Sequence, residues 1–416
     1  MDEIRVLSPT AILGYGYPLA SLEAGLAYEP HVIAVDGGST DAGPYFLGMG
    51  ADRAGELAGF RQALERDLTP ILRAALARDI PFIMGSAGGA GGNLHVMAVA
   101  LLIRRIAERE GMSFRMAIIP AEVDKGLVKS RLFEGRTEPL GPAPELTSET
   151  IDRSVRIVAQ MGVEPYMRAL EEGAEVIVGG RASDPAMFAA LPLVMGFDKG
   201  LALHMGKVLE CGAIAAEPGS GGDVLVGTLR HDYFLAEPAA RERRCTVRSV
   251  ASHSLYEACD PWRLEEPGGT VDLAEVSFLQ ETERSVRVSG SRFFPAPVYK
   301  LKLEGAELSG YRTVCMAGVR DPSVLANLDR ILEEARKRAH EQFGLGKETG
   351  REVHFRVYGK DGVMGALEPS GRSCHEAGLF IEAVAGTQEE VTSLCMFAHK
   401  TITRSILDLS KMSNAS

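Results

Sequence analysis

The 416-residue sequence lacks the features that mark several common classes of protein. Its six cysteines are scattered with no C-x-x-C pair, which argues for reduced thiols in a cytosol. No long Lys/Arg run is present and the formal net charge is -11, so we expect no nucleic-acid partner. The longest apolar run, residues 96–103, is too short to cross a bilayer, and the N-terminus has no signal-peptide stretch. We therefore expect a cytoplasmic protein with no membrane partner.

The composition is that of an ordinary globular protein, with 45% hydrophobic and 24% charged residues. The chain is too long for one average domain, so we expect two packed domains with a soft boundary near residue 240. Residues 1–240 are predicted to form an α/β domain that carries glycine-rich ligand-binding loops. Residues 241–416 are predicted to form a smaller α+β domain packed on it.

The order of apolar segments predicts the fold class. Strands are predicted at residues 4–9, 31–38, 80–89, 116–123 and 174–185, alternating with helices at residues 56–77, 94–110 and 148–171. Continuously apolar strands that alternate with helices indicate a largely parallel sheet with helices on both faces. After about residue 240, β-rich segments precede a helix at 322–343, two strands and a closing helix.

Polar side chains follow the second predicted strand, in the segment DGGSTDAGPYFLG. It contains Asp36, Ser39 and Thr40, which we predict to bind substrate, and Asp41, an acid/base candidate. The carboxyl ends of parallel strands are where ligands bind in such sheets. The alternative is a capped turn that begins a helix.

A second loop, GSAGGAGGN at 85–93, runs from a strand directly into a helix. Glycines let backbone N–H groups approach a ligand, and a helix N-terminus favours an anion, so we predict a carboxylate, phosphate or oxyanion site. The predicted substrate-binding residues are Gly85, Ser86, Gly88 and Gly89. No GK[ST] follows, and neither a nicotinamide nor a flavin cofactor is expected. The alternative is a tight glycine turn under a closely packed helix.

Two further strand ends carry charged residues. Asp124 and Lys125 follow one strand, and we predict that Lys125 binds substrate; Arg181, Ser183 and Asp184 follow another. Arg181 could clamp a substrate carboxylate with both arms of its guanidinium, while Asp184 could orient it or act as a base. The alternative for each pair is a structural salt bridge with a capping role.

The segment ALHMGKVLECGAIAAEPGSGGD is predicted to be helical at its start and contains His204, Lys207, Glu210 and Cys211. At their spacing, His204, Lys207 and Cys211 share one helix face. A base, a cation and a thiol together suit proton transfer or covalent chemistry, so His204 and Cys211 are catalytic candidates. The alternative is a buried cysteine and a core histidine.

The remaining histidines give weaker indications of a functional site, and the sequence does not identify a cofactor. The segment SCHEAG contains His375, a candidate general acid, and ASHSLYEACDPW contains His253 and Tyr256. No residue is assigned as a metal ligand, because the paired short spacings of zinc sites are missing. The cofactor is therefore unknown, with a divalent metal left open.

Several segments in the same order resemble the acyclic terpene utilisation (AtuA) family. They are GGRASDPAMFAALP, HMGKVLECGAIAAEPGSGG, SVASHSLYEACDPWRLEEPGGTVDL, FRVYGKDGVMGALEP and HEAGLFIEAVAGTQEE. The DGGSTDxGP loop marks a subgroup in this resemblance. In this resemblance, longer members of the family carry an additional small C-terminal domain, so we expect a separate small companion subunit for this chain.

The resemblance implies a catabolic enzyme. We expect a hydro-lyase or isomerase that acts on a small hydroxy or unsaturated carboxylic acid or its CoA ester, working as a homo-oligomer. Two alternatives stay open. One is a hydrolase or acyl transferase with Ser86 or Cys211 as nucleophile, and the other is a non-catalytic subunit of a two-protein complex.

Overall fold

The computed structural model describes residues 2–38, 43–49, 57–371 and 374–413. The chain forms two compact units, Met1–Glu307 and Leu308–Ser416. The predicted boundary near residue 240 falls inside the first unit. Two strands beyond it, Ser277–Gln280 and Val286–Ser289, join the main sheet of that unit by antiparallel pairing, which no local composition signal reveals.

The first unit contains fourteen strands and ten α-helices among its described residues. The strands are β1 (Glu3–Ser8), β2 (Val32–Gly38), β3 (Phe82–Gly89), β4 (Met116–Ile119), β5 (Ser154–Ala159), β6 (Val176–Gly179), β7 (Leu225–Arg230), β8 (Tyr233–Pro238), β9 (Arg263–Glu266), β10 (Gly269–Asp272), β11 (Ser277–Gln280), β12 (Val286–Ser289), β13 (Arg292–Pro295) and β14 (Leu303–Glu307). The helices are α1 (Leu19–Leu26), α2 (Gly43–Gly48), α3 (Leu57–Ala77), α4 (Asn93–Glu110), α5 (Lys125–Phe133), α6 (Ser148–Arg153), α7 (Glu164–Glu171), α8 (Ala186–Val194), α9 (Lys199–Leu209) and α10 (Val247–Ser254).

Nine strands form one sheet in the order β11-β12-β8-β7-β1-β2-β3-β6-β4. The strands β1, β2, β3, β6 and β4 run parallel to one another, and the other four are added by antiparallel pairing. The predicted largely parallel sheet is confirmed. Its parallel strands bring their carboxyl ends to one edge, where a ligand site is expected.

Alternate residues of the central strands point to opposite faces of the sheet, and both faces are covered. Val32 and Ala34 pack with residues of α8 and α9, whereas Ile33 and Val35 pack with residues of α1, α3 and α4. A fully buried Val, Ile or Phe stabilises a fold by roughly 1.5–3 kcal/mol, so burial on both faces strongly stabilises the sheet.

The helix predicted over residues 148–171 is wrong. The segment forms α6, strand β5 and then α7, and β5 pairs antiparallel with β14. The sequence of β5, SVRIVA, is rich in β-branched residues, which pack well on a pleated surface. Its partner strand begins at Leu303, so the pairing depends on a segment far away in the chain.

The second unit contains strands β15 (Tyr311–Val319), β16 (Glu352–Tyr358) and β17 (Ala377–Ala385) and helices α11 (Pro322–Ala326), α12 (Leu328–Phe343) and α13 (Gln388–Ser413). The strands form an antiparallel sheet in the order β15-β17-β16. Residues of α12 and α13 cover one face of it in a single core. In the part of the chain that the structure describes, no helix is long and apolar enough to cross a membrane.

Candidate active site

The loop after β6 places Arg181 at the carboxyl edge of the parallel strands. Its guanidinium donates to both carboxylate oxygens of Glu304, at 3.0 and 3.4 Å. The remaining arm donates to the Ser86 hydroxyl at 3.0 Å, to the Ala182 carbonyl at 3.1 Å and to Asp184 at 3.2 Å. Arg181 is only 2% exposed. Its donors are therefore used within the protein, and the side chain links the ends of β3 and β6.

Asp36 lies at the end of β2, opposite Gly85 of β3. It is buried, and its carboxylate accepts a hydrogen bond from the Gly38 N–H. Burial, followed by the nearby charge of Asp184, holds the pKa of Asp36 well above its usual range, although Arg181 acts in the opposite direction. Burial therefore favours the protonated form of Asp36 beside the loop that carries Arg181.

Ser183 and Glu266 form a second acid group next to Asp184. The Ser183 hydroxyl donates to the carboxyl of Glu266, which lies at the end of β9. Burial raises the pKa of Glu266 to about 8, the charge of Asp184 adds to the effect, and the Ser183 bond and Lys207 oppose it. Glu266 is therefore largely protonated at neutral pH, whereas the adjacent Asp184 is held by a guanidinium.

Helix α9 approaches this loop closely because Gly206 has no side chain. A Cβ at Gly206 would lie 2.7 Å from the Cβ of Pro185 and 2.8 Å from its carbonyl oxygen. The close crossing brings the end of α9 beside Asp184. There the Lys207 ammonium donates to Oε1 of Glu210 at 2.5 Å. The Glu210 carboxylate offsets the effect of burial and raises the pKa of Lys207 to about 12, so the lysine is charged.

Five side chains that could bind a cation converge at this point. Ligand atoms of Glu210, Cys211 and His253 lie within 4.8 Å of one another, and so do carboxylate oxygens of Asp184, Glu210 and Glu257. Glu210 belongs to both groups. Asp184 is partly exposed and Glu257 is exposed, so the cluster opens to solvent. We call these five residues and Lys207 the acid cluster.

The backbone and local helix structure position the cluster. Helix α10 begins with a capping box between Thr246 and Ser249, which fixes the helix that carries His253 near its end. The ring of His253 stacks on Tyr256, with centroids 5.6 Å apart. Glu257 follows with a positive φ of 60°, a conformation that costs free energy in a non-glycine residue and is common at functional sites.

Two atoms of the acid cluster are buried without a hydrogen bond to any described residue. They are Oε2 of Glu210 and Nε2 of His253, and both residues are 4% exposed. Burial raises the pKa of Glu210 well above its usual range and lowers that of His253 to about 4. Burial and then the Glu210 charge raise the pKa of Cys211. A buried polar atom normally has a partner, so these two point to a missing ligand.

Comparison with protein families identifies the chain. The model of the family described as acyclic terpene utilisation family protein AtuA matches residues 45–222 and 232–413. The chain belongs to the AtuA family. Membership associates it with acyclic terpene catabolism. No curated protein and no solved structure matches the chain.

The acid cluster of this AtuA family member comes from three of the segments on which the resemblance rests. GGRASDPAMFAALP supplies Asp184, HMGKVLECGAIAAEPGSGG supplies Lys207, Glu210 and Cys211, and SVASHSLYEACDPWRLEEPGGTVDL supplies the other two. The cluster is therefore assembled from the parts of the chain that identify its family.

His204, which was predicted to share a site with Lys207 and Cys211, is not part of the acid cluster. It is fully buried, and its two ring nitrogens lie 2.7 Å from the Ser291 hydroxyl and 2.9 Å from the Ser254 hydroxyl. Burial lowers its pKa to about 3. The structure gives His204 the role of a neutral core residue, which was the alternative interpretation.

The predicted glycine loop is largely a packing element. Residues 82–89 are all strand, and a Cβ at Gly85 would lie 1.9 Å from the Met187 methyl. At the start of α4, the Asn93 N–H donates to the Glu122 carboxylate at 2.8 Å. The protein's own carboxylate therefore occupies the predicted anion site. Gly88 and Gly89 both have positive φ values, 73° and 100°, as a tight turn requires.

The other predicted residues are Lys125, His375 and three residues that follow β2. Lys125 donates to the Asp152 carbonyl at 3.1 Å, beside α6. His375 is exposed, 3.8 Å from Glu376, in the second unit. Ser39, Thr40 and Asp41 lie outside the described residues.

Glu257, Glu266 and Glu304 were not identified from the sequence, and Glu210 and His253 were noted but not assigned a role. Glu266 lies on β9 and Glu304 on β14, two short strands that are far in sequence from Ser183 and Arg181. Carboxylates in charged stretches such as RLEEPGG are ordinarily interpreted as solvent-exposed surface residues. Only their pairing with Ser183 and Arg181 separates them from surface residues.

Proposed function

We propose that the chain is a catabolic hydro-lyase or isomerase that acts on a small hydroxy or unsaturated carboxylic acid or its CoA ester. The observation that carries this proposal is the presence of two unlike carboxyl groups at the loop after β6, which carries Asp184 and binds Glu266 of β9 through Ser183. Asp184 is bound to Arg181 and reaches solvent, whereas Glu266, bound by the neighbouring Ser183, is largely protonated at pH 7.

Such a pair suits the removal of water from a hydroxy acid. The Asp184 carboxylate would take the proton from the carbon next to the carboxyl group, and Glu266 would give its proton to the leaving hydroxyl. The C–O bond breaks, a C=C bond forms and water leaves. Two carboxyls whose surroundings separate their pKa values divide the acid and base roles in other enzymes in the same way. Asp36, whose pKa is also raised by burial, would be a second proton donor at this edge.

The observations favour this reaction over covalent catalysis. The Ser86 hydroxyl is fully buried and accepts a hydrogen bond from Arg181, which withdraws electron density from a nucleophile. The raised pKa of Cys211 keeps the thiol protonated. Both residues therefore lack the activation that a hydrolase or acyl transferase needs.

Solvent exchange tests the proposal without knowledge of the product. The purified chain is incubated in D₂O with a panel of hydroxy acids, unsaturated acids and their CoA esters, and deuterium next to the carboxyl carbon is measured by NMR. We expect exchange with at least one member, and a loss of about 10²-fold or more in Asp184→Asn.

Asp198→Asn is the matched control, because Asp198 caps α9 through the Leu201 N–H and an asparagine caps equally well. It should keep the wild-type exchange rate. Absence of exchange and turnover across the whole panel, with or without a co-expressed small companion protein, would contradict the proposal. Activity only with the companion would support the two-protein arrangement.

A further inference from the structure

The charge balance of the acid cluster suggests what it holds. Lys207 and Glu210 form one ion pair and Arg181 and Glu304 another, at 2.5 and 3.0 Å. Arg181 also lies 3.2 Å from Asp184, and Lys302 lies 3.0 Å from Glu304. With Glu257 included, the acidic side chains here outnumber the basic ones. A divalent cation bound there would offset this negative charge and would favour the approach of the carboxylate substrate proposed above.

The chemistry of the unpartnered atoms narrows the choice of cation. Glu210, Cys211 and His253 offer one oxygen, one sulfur and one nitrogen, all within 4.8 Å of one another. Around tetrahedral zinc, with bonds of about 2.0–2.3 Å, such atoms are separated by about 3.3–3.8 Å. A shift of about 1 Å in these side chains therefore completes a three-ligand set, leaving a fourth position open.

We propose that Glu210, Cys211 and His253 bind one Zn²⁺ or a similar borderline first-row metal ion per chain. Oε2 of Glu210 and Nε2 of His253 are each buried and unbonded among the described residues. Lys207 holds the other oxygen of Glu210 and so orients the carboxylate. Binding breaks the S–H bond of Cys211, forms a metal–sulfur bond and releases the proton to solvent.

Carboxylate oxygens of Asp184 and Glu257 also lie within 4.8 Å of a Glu210 oxygen. A metal there would place a positive charge beside the proposed base Asp184, where it could receive a substrate hydroxyl or carboxylate. The metal site goes beyond the proposed reaction and is tested by binding rather than by turnover.

Cobalt binding tests the site directly. The full chain is stripped with a chelator, titrated with Co²⁺ and followed by absorption spectroscopy, with Zn²⁺ then added in competition. We expect one ion per chain and a thiolate-to-cobalt charge-transfer band. In Cys211→Ser the band should disappear, and in Cys211→Ser and His253→Asn the affinity for Zn²⁺ should fall more than about tenfold.

Cys259→Ser is the control, since Cys259 is an exposed thiol a few residues beyond α10. Its band should match the wild type, and circular dichroism should show all variants folded. A band that survives Cys211→Ser, or no stoichiometric binding of Co²⁺ or Zn²⁺, would overturn the site. Binding of Mg²⁺ alone would also overturn it, in favour of the oxygens of Asp184, Glu210 and Glu257. Metal binding without exchange would contradict only the reaction, and exchange without stoichiometric metal binding would contradict only the metal site.

Discussion

The guanidinium of Arg181 holds the carboxylate of Glu304 through two hydrogen bonds, at 3.0 and 3.4 Å. A planar fork on a carboxylate is the geometry that a substrate-binding arginine would use. Here the carboxylate belongs to the protein, on β14. Lys302 also lies 3.0 Å from Glu304. Arg181 therefore fixes the loop after β6 and orients Asp184, and a substrate carboxylate would have to displace Glu304 to reach it.

Replacing Arg181 should affect folding more than substrate binding. In Arg181→Met, Glu304 and Asp184 lose their buried partner, and we expect the free energy of unfolding to fall by about 3–5 kcal/mol. Arg181→Lys keeps the charge but loses the fork, and should cost about 1.5–3 kcal/mol. Urea unfolding measures both.

The matched control is Arg168→Lys. Arg168 forms an exposed ion pair with Glu172 on α7, and such pairs contribute about 0.2–1 kcal/mol. If Arg181→Lys unfolds like the wild type but binds substrate more weakly, then Arg181 is the substrate anchor expected from the sequence and its pairing with Glu304 is secondary.

The raised pKa of Glu266 makes stability depend on pH. Because the folded protein keeps the proton up to about pH 8, while an unfolded glutamate loses it near its ordinary value of 4.5, the folded state binds more protons between these values. The free energy of unfolding should therefore fall as pH rises through this window, by up to about 5 kcal/mol at about 1.4 kcal/mol per pKa unit. Glu266→Gln should remove this slope when urea unfolding is measured at pH 5, 6.5 and 8.

Two further measurements test the raised pKa of Glu266. Ser183→Ala removes the hydrogen bond that lowers the pKa of Glu266, so the slope should extend to higher pH. If Glu266 is the general acid, turnover should also decline as pH rises through about 8. Equal slopes in the wild type and Glu266→Gln would show that Glu266 titrates normally.

The fold was largely predictable because its central part is built from local signals. Apolar runs such as residues 31–38 and 80–89 form β2 and β3 in the parallel sheet, and the pattern of two-sided burial follows from their continuous hydrophobicity. β5 was not predictable in this way. It begins directly after a short helix capped by Thr147, and its only strand partner among the described residues is β14. Pairing over such a distance leaves no periodic signal within a local window.

The candidate site was predictable only in part. Asp184 and Cys211 were identified because Asp184 follows an apolar strand and a glycine pair and Cys211 lies near a histidine and a lysine. Spacing alone suggested His204 as the partner of Cys211, but α9 ends at Leu209 and Cys211 itself is not helical. Its sulfur lies near His253 instead. The end of a helix cannot be read from helical spacing.

Removing Glu122 should create the anion site that the glycine loop resembles. Its carboxylate accepts from the Asn93 N–H at the start of α4 and lies 3.4 Å from Arg156. Glu122→Ala leaves these donors unpaired, and we expect a loss of about 1–3 kcal/mol in unfolding free energy. Sulfate should restore part of this loss in the variant by binding there, as measured by thermal shift.

The wild type should show only the general effect of sulfate. Glu149→Ala, which removes an exposed glutamate from the first turn of α6, is the control for a lost surface charge. If sulfate stabilises Glu122→Ala, Glu149→Ala and the wild type equally, Glu122 does not occupy an anion site.

Gly206 has no side chain, which lets α9 approach the loop after β6 that carries Asp184. An alanine Cβ would lie 2.7 Å from the Cβ of Pro185, closer than two carbons can pack, so α9 must shift away. The better helix propensity of alanine contributes about 1 kcal/mol, but overpacking costs about 1–3 kcal/mol, and we expect a small net loss of stability. The larger effect should fall on the acid cluster, because Glu210 moves away from Asp184.

Gly305→Ala, where the nearest atoms lie 3.5–3.7 Å away, is the control in the same unit. Solvent exchange and Co²⁺ affinity should both decline in Gly206→Ala and not in Gly305→Ala. Unchanged values in both variants would mean that the close crossing of α9 does not position the site.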